Sequence, residues 1–253
     1  MARKIVISLR KGGSGKTTTA VNLAAALAKK NKKTRLVDLD PQSNATISVG
    51  IDPAELEKHI NTLFVDPSVE PEEAIKETDF GLFLLPSHPN LSKTEAGMKA
   101  TQVGVLKSLL EAVDDLFDYI IIDTPPSESY LTVNALVVAD EVIIPLQTQF
   151  LAMRGLQEAF EEIEEVRKGL NPNLKVTGIL PTMVSHQTNM AKMVLDSLVE
   201  NYGQLLFPVQ INFSIRYSEA SLAGKPIISF KPKHQGSQAY LKLADYIIKQ
   251  EVK

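Results

Sequence analysis

Between the apolar run Ile5-Val6-Ile7-Ser8-Leu9 and a helically spaced stretch carrying Val21, Leu23, Ala24 and Leu27, the chain places Lys11-Gly12-Gly13-Ser14-Gly15-Lys16-Thr17. Strand, glycine turn and helix in that order form a phosphate-binding corner. Gly12, Gly13 and Gly15 let backbone amides turn toward a polyanion without Cβ clashes, and a helix starting near Lys16 aims its positive end at the same point. The spacing predicts that the Lys16 ammonium meets β- and γ-phosphate oxygens and that the Thr17 hydroxyl ligates Mg²⁺. The general pattern G-x-x-x-x-G-K-[ST] asks for glycine at position 10, where this chain has Arg10, so only Gly15-Lys16-Thr17 satisfies it strictly. Lys11 is the residue that a plain phosphate loop leaves unexplained.

Two further segments end in acids. Arg35-Leu36-Val37-Asp38-Leu39-Asp40 reads as a buried strand stopped by Pro41, and Tyr119-Ile120-Ile121-Ile122-Asp123 as another closed by Pro125-Pro126. Their near-continuous apolar character is that of parallel strands covered on both faces. Further strands are expected at 82–85, 141–145 and 176–180, and helices at 92–116, 130–138, 151–169, 187–203 and 236–250. This alternation predicts an α/β fold, a three-layer, doubly wound, mostly parallel sheet with helices on both faces. Asp40, Asp123 and the glycine loop would then meet beyond the carboxyl ends of the strands, where such sheets bind ligands. Asp38 shares a strand face with Asp40 but lies deeper, and we expect it to serve structure, capping a neighbouring loop. With 253 residues, 44% apolar composition, and 14 Pro and 13 Gly spread without a linker-like cluster, a single domain over 1–253 is expected.

Composition excludes several classes. The absence of cysteine removes disulfides, thiolate metal sites, iron–sulfur clusters and cysteine nucleophiles. The opening Met1-Ala2-Arg3-Lys4 runs straight into the first apolar segment, so no signal peptide is expected, and no run approaches membrane-spanning length. A net charge of -3 argues against a protein that coats nucleic acid along its whole surface, yet residues 1–37 hold ten Lys/Arg and no acid. The segment 158–165 carries five glutamates, and from residue 216 onward seven Lys/Arg face three acids.

Lys11-Gly12-Gly13-Ser14-Gly15-Lys16-Thr17 resembles the deviant Walker A loop of the ParA/MinD group of P-loop ATPases. Asp38-Leu39-Asp40-Pro41-Gln42-Ser43-Asn44 is similar to that group's D-x-D-P-Q-x-N segment, and Asp123-Thr124-Pro125-Pro126 to its Walker B continuation. Ile215-Arg216-Tyr217-Ser218-Glu219-Ala220, followed by Gly224-Lys225-Pro226-Ile227, looks like the V-R-L-S-E-A…G-K-P-I pattern of ParA-type (Soj-like) partition ATPases, so the resemblance spans nearly the whole chain. It implies ATP and Mg²⁺ as ligands, with Lys11, Gly12, Gly13, Ser14, Gly15, Lys16, Thr17, Thr18, Asn44 and Met183 around the nucleotide. Thr17, Asp40 and Asp123 would serve the metal. Lys11, Lys16 and Asp40 would carry catalysis, Lys11 reaching the phosphates of a partner across a sandwich homodimer and Asp40 orienting the attacking water. The resemblance further implies slow hydrolysis stimulated by a ParB-like or other adaptor, non-specific binding of double-stranded DNA by the dimer, and a cytoplasmic, nucleoid-associated protein that distributes a chromosome, plasmid or protein organelle.

Two departures bear on these expectations. Relatives often carry I-P-R-N before the V-R-L-S-E-A pattern, with proline near the adenine, where this chain has Ile211-Asn212-Phe213-Ser214. Relatives that bind DNA through the arginine of D-x-R-T-N are matched here by Ser185-His186-Gln187-Thr188-Asn189, which replaces that arginine with neutral Gln187. Phosphate contacts would then fall to Arg216, Lys225, Lys231 and Lys233. An alternative is a MinD-like membrane switch with residues 240–250 as an amphipathic anchor. The lysines there are few, Asp245 lies within the segment, and its apolar face is expected to pack on the sheet instead. A metabolic P-loop enzyme is a third reading, against which Lys11 and the D-x-D-P-Q segment speak.

Overall fold

The computed structural model describes residues 1–149, 151–185 and 188–250. The apolar runs become strands β1 (Arg3–Ile7), β2 (Thr34–Asp38), β3 (Lys76–Glu77), β4 (Phe83–Leu85), β5 (Tyr119–Asp123), β6 (Glu141–Gln147) and β7 (Lys175–Thr182). They form one sheet in the order β3-β4-β2-β5-β1-β6-β7, with only the β3–β4 pair antiparallel. The helices are α1 (Lys16–Lys29), α2 (Asn44–Ser48), α3 (Ile60–Val65), α4 (Leu91–Gly97), α5 (Val105–Glu111), α6 (Tyr130–Val138), α7 (Ala152–Gly169), α8 (Asn189–Tyr202), α9 (Arg216–Leu222), α10 (Ile227–Phe230) and α11 (Gln235–Lys249).

Alternation along each strand divides the core into two layers. Val6, Val37, Ile120, Ile122, Val142 and Ile144 point to one face and pack with Leu63 of α3, Leu110 of α5, Leu136 of α6, Ile163 of α7 and Leu198 of α8. Ile5, Ile7, Leu36, Ile121 and Ile143 point to the other, against Leu23 and Leu27 of α1, Ala220 of α9, Ile227 of α10 and Leu243 and Ile247 of α11. Both faces are thus covered by helices, as the unbroken apolar character of the strands requires.

The structure corrects several expected boundaries. The helix expected at 92–116 is broken into α4 and α5: the chain turns extended at Met98 and Lys99, and α5 restarts after Gly104, whose left-handed φ of 102° is held by the Asn134 side chain accepting from the amides of Gly104 and Leu106. Strand β2 stops at Asp38, not Asp40, since the Asp40 amide folds back to donate to Asp38 Oδ1 at 3.0 Å. α8 starts at Asn189, and the earlier start expected at Gln187 lies outside the described residues. α11 buries Tyr240, Leu243, Ala244 and Ile247, and its Asp245 pairs with Lys30 at 2.7 Å, so the face a membrane anchor would need is packed on the sheet layer. Among the described residues no helix is long and apolar enough to cross a membrane.

Candidate functional site

Strand register assembles the site. β5 lies between β1 and β2, and Ile7, Asp123 and Asp38 are direct neighbours across the three strands. The glycine loop leaves the sheet just beyond Ile7, so it opens over the two carboxylates. Gly13 and Gly15 take φ of 71° and 89°, values that cost an L side chain roughly 1–2 kcal/mol. The Thr182 hydroxyl at the end of β7 donates to the Ser14 carbonyl at 2.7 Å and pins the loop from the other side. α1 then begins at Lys16 with its free amides facing the loop.

A cavity of about 250 Å³ is lined by residues 12–18, Asp40, Asn44, Pro126 and Met183. The structure therefore brings together Gly12, Gly13, Ser14, Gly15, Lys16, Thr17, Thr18, Asp40, Asn44 and Met183 of the expected set. Asp123 lies behind them, fully buried, with both carboxylate oxygens lacking a hydrogen-bond partner. Lys11 sits half-buried at the start of the loop, and its carbonyl accepts from Lys16 Nζ at 3.3 Å.

Electrostatics in this corner favour a cation. Burial pushes the Asp123 carboxyl well above the usual carboxylate range, the charges of Asp38 and Asp40 push the same way, and the Thr17 hydroxyl and Lys16 pull it back. Burial also lowers the Lys16 ammonium, offset in part by Asp123 and Asp40. Asp38 is raised by burial despite three hydrogen bonds: from the amide and hydroxyl of Thr46, each 2.8 Å, and from the Asp40 amide. Asp38 thus caps the start of α2 and serves structure. Asp40 is held by its main chain, its carbonyl accepting from the Ser87 hydroxyl at 2.7 Å. Among the described residues no group of three or more His, Asp or Glu is arranged to hold a metal by itself. Mg²⁺ takes one or two side-chain oxygens besides phosphates and waters, and the Thr17 hydroxyl beside the buried Asp40 and Asp123 carboxylates is an oxygen-donor set of that kind.

Two further cavities adjoin the first. One of about 130 Å³ shares Gly15, Thr18 and Met183 with it and is walled by Asn212, Phe213 and Tyr217. Met183 adopts φ 51°, an uncommon left-handed conformation for a non-glycine residue, where the two meet. The other, about 490 Å³, shares Thr17, Thr18 and Asn44 and opens between α2 and α9, with Lys225 on its wall.

The four basic candidates are all exposed, but they are not equivalent. Arg216 opens α9 with Nη1 2.6 Å from both Glu219 carboxylate oxygens, so its charge is already matched. Lys231 lies close enough to Glu219 to lower that carboxyl, and Lys233 lines a separate hollow with Lys242. Gln187 lies outside the described residues. Reading the sequence missed the supporting hydroxyls Thr46, Ser87 and Thr182, as well as Asn22, whose side chain joins the Thr18 carbonyl to the Ile227 amide. Nothing in the local sequence pattern marked any of the four as supports of the site.

A strand-loop-helix phosphate corner over paired strand-end carboxylates, on a doubly wound sheet, defines a P-loop nucleotide-binding domain, and the AAA domain family profile matches residues 2–176. The sporulation initiation inhibitor protein Soj of Bacillus subtilis is 39% identical over 247 residues, 96% of this chain and 97% of that one. The chromosome partitioning protein ParA of Caulobacter vibrioides is 36% identical over 253 residues, 98% of this chain and 95% of that one. The chain belongs to the Soj/ParA family of P-loop ATPases. Among solved structures, a Mycobacterium smegmatis protein described as cobyrinic acid a,c-diamide synthase, with a bound ATP analogue and magnesium, superposes with a TM-score of 0.85 and 34% identity, covering 100% of this chain and 97% of that one.

Proposed function

We propose that this protein is an ATP-driven positioning protein of ParA type, in which Mg-ATP binding creates a dimer that holds DNA without sequence preference and hydrolysis releases it. The observation that carries the reading is the cavity uniting residues 12–18 of the glycine loop with Asp40 and Asn44, over the fully buried carboxylate of Asp123. Similarity to Soj and ParA over nearly the whole chain supports it.

In this reading the loop amides and Lys16 would hold the β- and γ-phosphates, and Thr17, Asp123 and Asp40 would hold Mg²⁺ beside them. Bound magnesium supplies charge neutralisation on the phosphoryl oxygens. Asp40 positions the attacking water; a carboxylate is a weak base, so its contribution is orientation and turnover is slow. Lys11 adds a second ammonium at the phosphates of the partner protomer, where negative charge spreads in the transition state. The neutral 130 Å³ cavity beside Gly15 and Met183 receives the base, with Asn212 and Phe213 in place of the proline and arginine of relatives. Lys225, Lys231 and Lys233 contact DNA phosphates, and an adaptor protein accelerates hydrolysis.

The test is retention on random-sequence DNA with no nucleotide, ADP or ATP, read together with oligomeric state. Wild type should dimerise and be retained only with ATP; Lys16→Ala should lose nucleotide binding, and Asp40→Ala should bind ATP and remain a DNA-bound dimer. A monomeric Asp40→Ala protein in saturating Mg-ATP would refute the sandwich mechanism. The likeness to the M. smegmatis structure makes a metabolic ligase the second reading. ATP turnover in the absence of any small-molecule acceptor would exclude it.

A further inference from the structure

Arg10 stands where the general phosphate-loop pattern has glycine, and its side chain turns away from the phosphate cavity to span two carboxylates from two other elements. Nε lies 3.3 Å from Glu162 Oε2 on α7, and Nη1 lies 3.0 Å from Glu128 Oε2 in the loop that follows β5. The two arms differ in kind. Glu162 is 6% exposed at its side chain, and Arg10 Nε faces it as an ion pair without a hydrogen bond, so Arg10 supplies the counter-charge for a buried carboxylate. Glu128 is 70% exposed, and an open pair of that sort contributes little to global stability.

What Glu128 offers is location. Its loop begins at Asp123, runs through Pro125-Pro126 and ends where the Ser129 hydroxyl caps α6 by accepting from the Thr132 amide at 3.3 Å. Pro126 already leans on the phosphate loop, its Cβ 3.9 Å from where a side chain on Gly12 would begin. The Arg10–Glu128 pair is thus a second contact between the same two loops, anchored through Glu162 to a long helix.

We infer that Arg10 is a positioning residue, which latches the loop after Asp123 to the phosphate loop and so fixes Asp123 and Lys11 around Mg-ATP. The inference rests on the nucleotide reading above for its effect on turnover, but not for the latch itself. The chemistry calls for arginine, because a planar guanidinium addresses two carboxylates at once while a lysine ammonium on a flexible stem serves as one point charge. Arg10→Lys therefore keeps the counter-charge beside Glu162 and gives up the Glu128 arm, and Glu128→Gln gives up the same arm from the other end.

The experiment compares Arg10→Lys, Glu128→Gln and the double variant in steady-state Mg-ATP hydrolysis, and follows hydrogen exchange at Thr124, Ser127 and Glu128 in the nucleotide-free proteins. Each single variant should lose about tenfold in kcat/KM, as small misplacements near reacting groups do, and exchange faster in the loop at an unchanged thermal midpoint. The double variant should match the singles, because all three remove one interaction. Single variants with wild-type turnover and exchange overturn the latch, as does a double variant whose losses multiply. If wild type hydrolyses no ATP, the functional reading falls, and loop exchange alone decides the latch.

Discussion

Protonation of His59 should cost this fold about 3 kcal/mol, and the structure shows why. His59 is 5% exposed and caps α3, its Nδ1 accepting from the Thr62 amide at 3.3 Å. Its ring stacks on His88 with centroids 4.3 Å apart, and His88 Nδ1 accepts from the Asn90 amide. Burial, reinforced by His88, lowers the His59 imidazole from 6.5 to about 4. A base whose folded pKa is depressed stabilises the fold when neutral. The contribution is fully present above the unfolded pKa, and falls away as pH drops from about 6.5 to about 4. A difference of about 2.5 units at 1.36 kcal/mol each gives the total of about 3 kcal/mol, of which about 2.5 kcal/mol is already lost at about pH 4.5. The assay is urea unfolding at about pH 7 and about pH 4.5 for wild type and for His59→Asn, which keeps a good capping acceptor but does not titrate. Carboxylate titrations are common to both proteins and cancel. Wild type should lose about 2.5 kcal/mol more than the variant, and equal losses would refute the reasoning. Ser87, the neighbour of His88, ties the Asp40 carbonyl, so the loss should also weaken nucleotide affinity in acid.

Asp123→Asn should raise the thermal midpoint of the nucleotide-free protein at neutral pH and abolish the further rise that Mg-ATP gives wild type. Its carboxyl is raised by burial and by Asp38, so ionisation costs stability as pH climbs from the unfolded value through the folded one, and differential scanning across pH checks the sign. Gly224→Ala should lower unfolding stability by about 2 kcal/mol, since φ is +62° and the new Cβ would sit 2.7 Å from Gly50 Cα; chemical denaturation at wild-type level would show that the α2–α9 contact yields easily. Lys225→Gln should reduce the salt slope of DNA retention by about 1, and Arg216→Gln by less, because Glu219 already neutralises that guanidinium; equal slopes for both variants would mean that the Arg216 pair opens on DNA.

Much of the fold was legible because parallel strands covered on both faces cannot hide in a sequence. Ile5-Val6-Ile7 and Ile120-Ile121-Ile122 have no polar face, and each stops where the chain turns into a loop. The short elements escaped for the opposite reason. α2, α9 and α10 are each seven residues or fewer, and their apolar positions, such as Ala45, Ala220 and Ile227, acquire meaning only once α1 and α11 lie beneath them. Length misled at 92–116, where a helical composition is interrupted by an extended stretch at Met98 and Lys99 and resumes after Gly104, whose left-handed turn is held from a distance by Asn134.

The phosphate loop was legible because its glycines and Lys16 act locally, through φ angles and one side chain's reach. Its supports act across the sheet. Thr182 reaches Ser14 from β7, Ser87 reaches Asp40 from beyond β4, and each is a lone hydroxyl in an ordinary-looking segment. Their effect is to hold Asp38, Asp40 and Asp123 near one another with Lys16 as the cation that offsets Asp40 and Asp123, an arrangement whose ionised form is costly in the low dielectric of the interior. A divalent cation brought in with phosphates relieves that cost, and the same charge arithmetic makes ligand binding and stability one quantity.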